Sequence, residues 1–248
     1  MSPERIRACA RLLLLACLAR PAAADPAAIT GPYRVLPDES ELTVLVFRAG
    51  ALARLGHNHV VSTRALSGRV NVGAAPEDST LELVVPLDTL VVDDPEVRRE
   101  MGSAFSGAVS EEDRSGTRRN MLGRRLLDAD RHPEVRIRSR AIRGTFDDLV
   151  VTAGIDIRGE VHTVELPVSV VFSDRRLVAT GRAELTHAAL GLEPFTAALG
   201  TLRVADEMTF VYRVAAAAEG PEGEASRGER AFPVVEDDDA ALLDRGTE

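Results

Sequence analysis

Residues 149–172 read LVVTAGIDIRGEVHTVELPVSVVF, and the spacing of their apolar residues decides the fold. In the first part Leu149, Val151, Ala153, Ile155 and Ile157 recur at every second position; in the second Val164, Leu166, Val168, Val170 and Phe172 do the same. A period of two puts each set on one face of an extended strand. Pro167 lies inside the second strand, where it cannot donate to a ladder, so it requires an edge or a bulge.

The same period extends outward in both directions. LELVVPL (81–87) groups Leu81, Leu83, Val85 and Leu87, and VRIRSR (135–140) sets Val135 and Ile137 against three arginines. Towards the end Leu202, Val204, Met208, Phe210, Tyr212 and Val214 share a face. ELTVLVF (41–47), VVSTRALSGRV (60–70) and LVATGRAEL (177–185) bring the total to about eight strands between residues 33 and 214. Gly68, Gly154 and Gly181 interrupt strands as bends in a strongly curved sheet do. Many antiparallel strands with one apolar face each predict an all-β chain, and a closed eight-stranded barrel is favoured over a sandwich.

One stretch breaks the pattern. Between about residues 94 and 131 the period is helical or irregular, a short helical excursion. Asp94 before Pro95 is a helix start, with an N-cap and a proline in the first turn. Ser110 with Asp113 three later resembles a capping box, and Gly123 is placed to stop that helix. An excursion of this kind lies across a barrel mouth or flank.

Composition bounds the rest. Hydrophobic residues make up 45% of the chain but aromatic ones only 4%, with no tryptophan, so the core must be aliphatic. All 30 basic residues are arginine, which reads as composition bias and warns against treating each one as a ligand. Residues 1–24 read as a secretory signal peptide: Arg5, Arg7 and Arg11 precede an apolar run from Leu12 to Ala19, and Ala22-Ala23-Ala24 supplies a cleavage site. Leu14-Leu15-Ala16-Cys17 also resembles a lipoprotein box, but only five apolar residues precede that cysteine. Cleavage after Ala24 and export to the periplasm or beyond is the expectation, with no transmembrane segment, since the run is far short of ~20 residues. Both cysteines, Cys9 and Cys17, fall in the leader, which leaves the mature chain without disulfide or thiolate chemistry. Removing the leader's four arginines and one glutamate takes the net charge from −9 to −12. Ten acidic and three basic residues in 219–248 read as a disordered acidic tail. A chain this acidic is not expected to bind nucleic acid.

Several stretches resemble the YceI-like family of exported bacterial proteins. YRVLPDESELTVLVF (33–47) is similar to its opening strand pair, and RRNMLGRRLLDADRHPEVRIRS (118–139) to its helix and following strand. VTAGIDIRGEVHTVELPV (151–168) is similar to its hairpin, and LTHAALGLEPF and TLRVADEMTFVYRV to its last strands. The resemblance covers about residues 31–215. It implies a lipocalin-like barrel that holds a long polyisoprenoid chain, and no established catalytic residue. The hairpin departs from the family pattern where it reads Gly159-Glu160-Val161-His162.

A lipid ligand is also an expectation of the residues themselves. An eight-stranded barrel has room for side chains or one small ligand, and lining it with aliphatic rather than aromatic residues leaves space along the axis. Burying a prenyl chain there contributes ~25 cal/mol per Å². The alternative is that the same residues pack on each other. The candidate lining is Val44, Val46, Leu83, Val85, Ile137, Val151, Ile155, Val168, Val170, Met208 and Phe210.

LGHNHVV (55–61) sets His57 and His59 on one side of an extended segment. Three readings stay open: a strand-entry turn, a contact to a lipid head group, or a pair of metal ligands needing a third. Arg118, Arg119 and Asn120 on the predicted helix are candidate donors to a phosphate or quinone oxygen, or else a solvated face. No G-x-S-x-G, phosphate loop or H-E-x-x-H occurs, so no enzyme activity and no cofactor is expected. Asp93-Asp94 and Asp147-Asp148 read as caps. The expected function is an exported carrier or store for an isoprenoid or similar amphipathic lipid. The alternatives are a metal- or redox-associated stress accessory protein using His57 and His59, and a ligand-free structural envelope module. Association as a homodimer is left open.

Overall fold

The order in which the strands pair closes the sheet on itself. A computed structural model describes residues 29–197 and 201–220; the predicted leader and the acidic segment beyond Gly220 lie outside the described residues. The strands are β1 (Gly31–Val35), β2 (Glu41–Ala49), β3 (His59–Thr63), β4 (Ser67–Val72), β5 (Thr80–Pro86), β6 (Val91–Val92), β7 (Glu134–Thr145), β8 (Asp148–Ile157), β9 (Glu160–Ser173), β10 (Arg176–Thr186), β11 (Thr196–Ala197) and β12 (Leu202–Ala218). Helices α1 (Pro95–Glu100) and α2 (Glu111–Leu122) lie between β6 and β7. Pairing runs β1-β4-β5-β7-β8-β9-β10-β12 and returns to β1, all antiparallel, so the expected eight-stranded barrel is what the chain forms.

Three of the eight barrel strands are broken in the middle. β1 and β2 are separated by a 3-10 turn at Pro37–Glu39, β3 and β4 by Arg64–Leu66, and β5 and β6 by a 3-10 turn at Leu87–Thr89. The pieces form two tiers. In the lower tier β1, β4 and β5 complete the ring. In the upper tier β2, β3 and β6 continue from β12, and β6 ends the order. The stretch 60–70, which reads as one strand in sequence, is therefore two.

Alternation along the strands builds the interior. Leu149, Val151, Ala153, Ile155 and Ile157 of β8 are all buried, as the period predicts. On β2, Leu45 and Phe47 face the other way and pack outside the barrel with Val60, Phe105, Val97 and Met101. The excursion supplies this outer cover. Asp94 caps α1, accepting from the Glu96 and Val97 amides at 2.8 and 3.2 Å, and Pro95 follows it as expected. Ser110 caps α2, accepting from the Asp113 amide at 3.1 Å, and Gly123 ends the helix. α2 lies against β6, the last strand of the upper tier, which protects its edge. Arg118 fastens it, donating to the Leu90 and Asp88 carbonyls at 2.9 and 2.8 Å.

Pro167 sits where β9 changes partners. It pairs with Val150 of β8, while β10 joins β9 only from Ser169 onward. The Pro167 carbonyl faces this split and accepts from the Tyr212 hydroxyl at 2.6 Å. The Tyr212 ring crosses over its register partner Gly181, where a Cβ would collide with both the ring and the Pro167 oxygen. Burial pushes the Tyr212 hydroxyl up to about 12, so it remains a donor across the physiological range.

Gly181→Ala is expected to lose about 1–3 kcal/mol of stability by overpacking. Tyr212→Phe is expected to lose about 0.5–1.5 kcal/mol, the net contribution of one hydrogen bond whose acceptor, on exposed Pro167, can turn to water instead. Urea unfolding followed by far-UV circular dichroism measures both. Because the folded hydroxyl titrates above its ordinary value of 10, its contribution is complete below pH 10 and declines as pH rises towards 12. Tyr212→Phe removes that part of the decline.

Candidate functional site

The inward rows of the strands enclose a cavity of about 500 Å³, within the ~300–1,000 Å³ usual for small-molecule sites. Its wall is built mostly from Val, Leu and Ile, with Met208, Phe210 and Tyr212 along one side. Many of these side chains, Val44, Val46, Val168 and Val170 among them, are only half-buried because they face the cavity rather than one another.

The two ends differ. At the β7–β8 and β9–β10 turns, Phe146 and Phe172 meet edge-to-face at 5.0 Å, and Phe172 meets Tyr33 at 6.5 Å. These scarce aromatics plug that end. The lining residues exposed to solvent are Arg48, Asn120, Arg125, Glu193, Phe195, Thr196 and Arg203. They belong to the end of β2, to α2 and the loop after it, to the segment between β10 and β12, and to the start of β12, and together they form the mouth.

His57 and His59 also line the cavity at this end. They stand on the inward side of the chain entering β3, with ring centroids 6.3 Å apart. His59 is fixed from behind. Its Nδ1 lies 2.6 Å from Oδ2 of Asp93, a carboxylate with no exposed surface. The Asp93 Oδ1 accepts from the Val60 amide at 2.9 Å and from the Arg98 guanidinium. Arg98 also donates to the Asn58 and Gly107 carbonyls, at 2.8 and 3.0 Å, so the excursion is tied to β3 through one buried charge cluster. Burial alone would raise the Asp93 carboxyl, but hydrogen bonds from His59 and Val60 and the charges of His59 and Arg98 outweigh it and hold it below its ordinary value. With Nδ1 turned to Asp93, the other nitrogen of His59 is the one available to the cavity.

All the residues expected along the lining stand on it: Val44, Val46, Leu83, Val85, Ile137, Val151, Ile155, Val168, Val170, Met208 and Phe210. His57, His59 and Asn120 lie towards the mouth. Arg118 and Arg119 do not line the cavity; Arg118 is engaged by backbone carbonyls and Arg119 is exposed. Among the described residues no group of three or more His, Cys, Asp or Glu could hold a metal ion, so the two imidazoles lack a third protein ligand there.

Sequence reasoning missed four residues of this end. Arg48 continues the inward row Leu42, Val44, Val46 by the same period of two, a signal present in the sequence. Arg125 and Arg203 carry no such signal. Asp93, read with Asp94 as a cap, is instead the buried anchor of His59; only Asp94 caps. The acid follows Val91-Val92 directly, and at a φ of 56° its backbone turns out of the strand there.

Residues 33–216 match the family model of the YceI-like domain. A comparison with curated proteins finds no match. Among solved structures the chain is similar to BcnA of Burkholderia cenocepacia, at 16% identity and a TM-score of 0.53, over 73% of this chain and 98% of that one. It is also similar to a polyisoprenoid binding domain from Saccharophagus degradans implicated in plant cell wall breakdown, at 14% identity and a TM-score of 0.47, over 75% of this chain and 98% of that one. A YceI protein of Campylobacter jejuni aligns at 9% identity and a TM-score of 0.44, over 62% of this chain and 82% of that one. The BcnA likeness shows a shared fold.

Asp93→Asn is expected to cost about 3–5 kcal/mol, because it leaves the buried Arg98 without its counter-charge. Denaturant unfolding at pH 7 measures it. Since the folded carboxyl titrates below its ordinary 3.8, its contribution is present above that value and is lost as pH falls further. The variant should therefore unfold in acid with a shallower pH dependence below pH 4 than the parent, about the ordinary carboxylate value.

Proposed function

This chain belongs to the YceI-like domain family, and we propose that it is an exported binding protein that holds an isoprenoid or similar amphipathic lipid in its barrel, as carrier or store. The observation that carries the reading is the cavity itself: about 500 Å³, walled by aliphatic side chains, plugged at one end and open at a polar mouth. An apolar cavity of that size favours an apolar guest over water. A one-ended tube suits a molecule with an apolar tail and a polar head. Each CH₂ moved from water contributes about 0.8 kcal/mol, so a tail of some twenty carbons supports micromolar binding after ordering costs.

Export is supported by the basic, apolar and small-residue pattern of residues 1–24. The family and the polyisoprenoid binding named for one similar domain support a binding role, and no reaction is assigned to the chain.

Native mass spectrometry of the protein purified from its own cells is expected to show a discrete mass excess that organic extraction removes. The extracted protein should then brighten the neutral probe N-phenyl-1-naphthylamine, and a prenyl lipid should displace it. Val168→Trp, which fills the cavity, should weaken the probe at least tenfold with the circular dichroism spectrum unchanged. A bare mass together with no displacement by prenyl lipids would sink the carrier reading and leave the structural one.

A further inference from the structure

We infer that the outer rim of the barrel docks on an anionic lipid bilayer, with Leu55 and Phe195 entering the interface. This goes beyond the lipid-binding reading, since it concerns the outer surface and not what the cavity holds. The end of β2 and the loop after it read RAGALARLGH (48–57), two arginines and no acid in a chain with 39 acidic residues. Its 3-10 turn, Ala53–Leu55, presents Leu55 at 67% exposure, more than any other large apolar side chain among the described residues. Phe195, on the neighbouring segment, is 43% exposed. The two segments brace each other. The Leu52 amide donates to the Thr201 carbonyl at 2.9 Å, and Gly50, at a φ of 93°, lies so close that a Cβ there would be 2.6 Å from the same oxygen. Thr201 leads into β12, which pairs with β11 directly after Phe195, and the Val204 amide donates to the Phe195 carbonyl at 2.9 Å. Gly56, His57 and Phe195 line the cavity, so both tips stand at its open end.

Scattered apolar side chains are ordinary on a protein surface, but these two stand within a basic collar, and the collar identifies the partner. The segments at this end, 48–57, 119–126 and 193–204, carry Arg48, Arg54, Arg119, Arg124, Arg125 and Arg203 against one acid, Glu193. All six arginines are exposed, and none takes part in an ion pair among the described residues. On the barrel wall, by contrast, arginines face carboxylates, as Arg138 does Glu82 at 2.6 Å. The six point from both faces of the sheet, so they do not converge on one small anion. A broad anionic surface attracts each of them separately, at about fivefold in affinity per arginine. Projecting apolar tips within such a collar fit a deformable interface, which admits side chains to a depth of about 5–10 Å. Docking in this pose turns the open end of the barrel towards the bilayer.

The chain has no tryptophan, so a single introduced one reports on its own surroundings. Leu55→Trp at the rim, and Val171→Trp near the plugged end, where Val171 is 65% exposed, are each mixed at low salt with vesicles. The vesicles are phosphatidylcholine alone or phosphatidylcholine mixed with phosphatidylglycerol. Only Leu55→Trp is expected to shift its emission to the blue, and with the mixed vesicles at about tenfold less lipid or lower, the margin of two or more arginines. The parent should co-sediment with the mixed vesicles. Leu55→Ser should weaken that binding about tenfold, the contribution of one buried leucine. Salt at about 1 M, where the screening length is about 3 Å, should weaken it further. Leu55 is exposed, so both of its variants should keep the parent's unfolding midpoint. A parent that does not sediment with the mixed vesicles at low salt overturns the inference. Binding that Leu55→Ser leaves unchanged, or a blue shift in Val171→Trp alone, assigns adsorption to another face and also overturns it. A blue shift of Leu55→Trp that grows with protein concentration in the absence of vesicles would give the rim to a second copy instead of a bilayer. None of these arms requires a bound cargo, so the displacement test of the lipid-binding reading stands or fails separately.

Discussion

The closure of the barrel passes through one strand. β12 runs from Leu202 to Ala218, pairs with β10 from Glu207 to Ala217, and on its other edge pairs first with β2 and then with β1. A sheet left open along that edge would present unpaired amides and carbonyls to water or to another chain. Closing it instead sets the strand number at eight, and that number sets the width of the interior. Two strand pieces, β1 and β2, share the edge because a 3-10 turn at Pro37–Glu39 steps the chain between tiers. Ser40, beside that turn, is buried and donates to the Leu36 carbonyl at 2.7 Å while accepting from the Ala215 amide at 3.0 Å, so the step itself is bonded to β12.

Width and composition together produce the cavity. With a fixed ring of strands, side chains of the size of Val, Leu and Ile reach inward without meeting across the axis in the upper part of the barrel. The few aromatic residues are placed where they matter most. Tyr33, Phe146 and Phe172 close the lower end, and Tyr212 bridges the split between β9 and β10. At the mouth the inward rows change character. Leu42, Val44 and Val46 lead to Arg48, and Val61 leads back to His59 and His57. A buried carboxylate, Asp93, holds this rim to the helical excursion through His59, Val60 and Arg98. The same cluster therefore orients a cavity-facing imidazole and anchors the outer cover of the barrel.

Much of this was legible in the residues. The period of two in 149–172 predicted both strands and their buried face, because alternation is a local property of extended backbone. The starts of both helices were legible for the same reason: Asp94-Pro95 and Ser110 with Asp113 satisfy amides within three residues of themselves. The bend at Gly181 and the edge required by Pro167 were foreseen separately, yet that they are one feature, joined by Tyr212, depends on register between three strands. The breaks in 60–70 and between Leu87 and Val91 were not legible, since each half keeps a strand's pattern.

What the sequence by itself determined is the class of fold, the identity of the inward rows, the helix starts and the aliphatic character of the interior, all of which rest on spacing and composition within short segments. The tertiary structure alone decided the partners of each polar group. It turned Asp93 from an apparent cap into the buried counter-charge of Arg98 and His59. It took Arg118 out of the site by giving its guanidinium to the Leu90 and Asp88 carbonyls. It also gathered Arg48, Arg125 and Arg203, from β2, the loop after α2 and β12, around one opening. Spacing fixes the side to which a residue points, but what it meets there depends on which strands the closing barrel brings together.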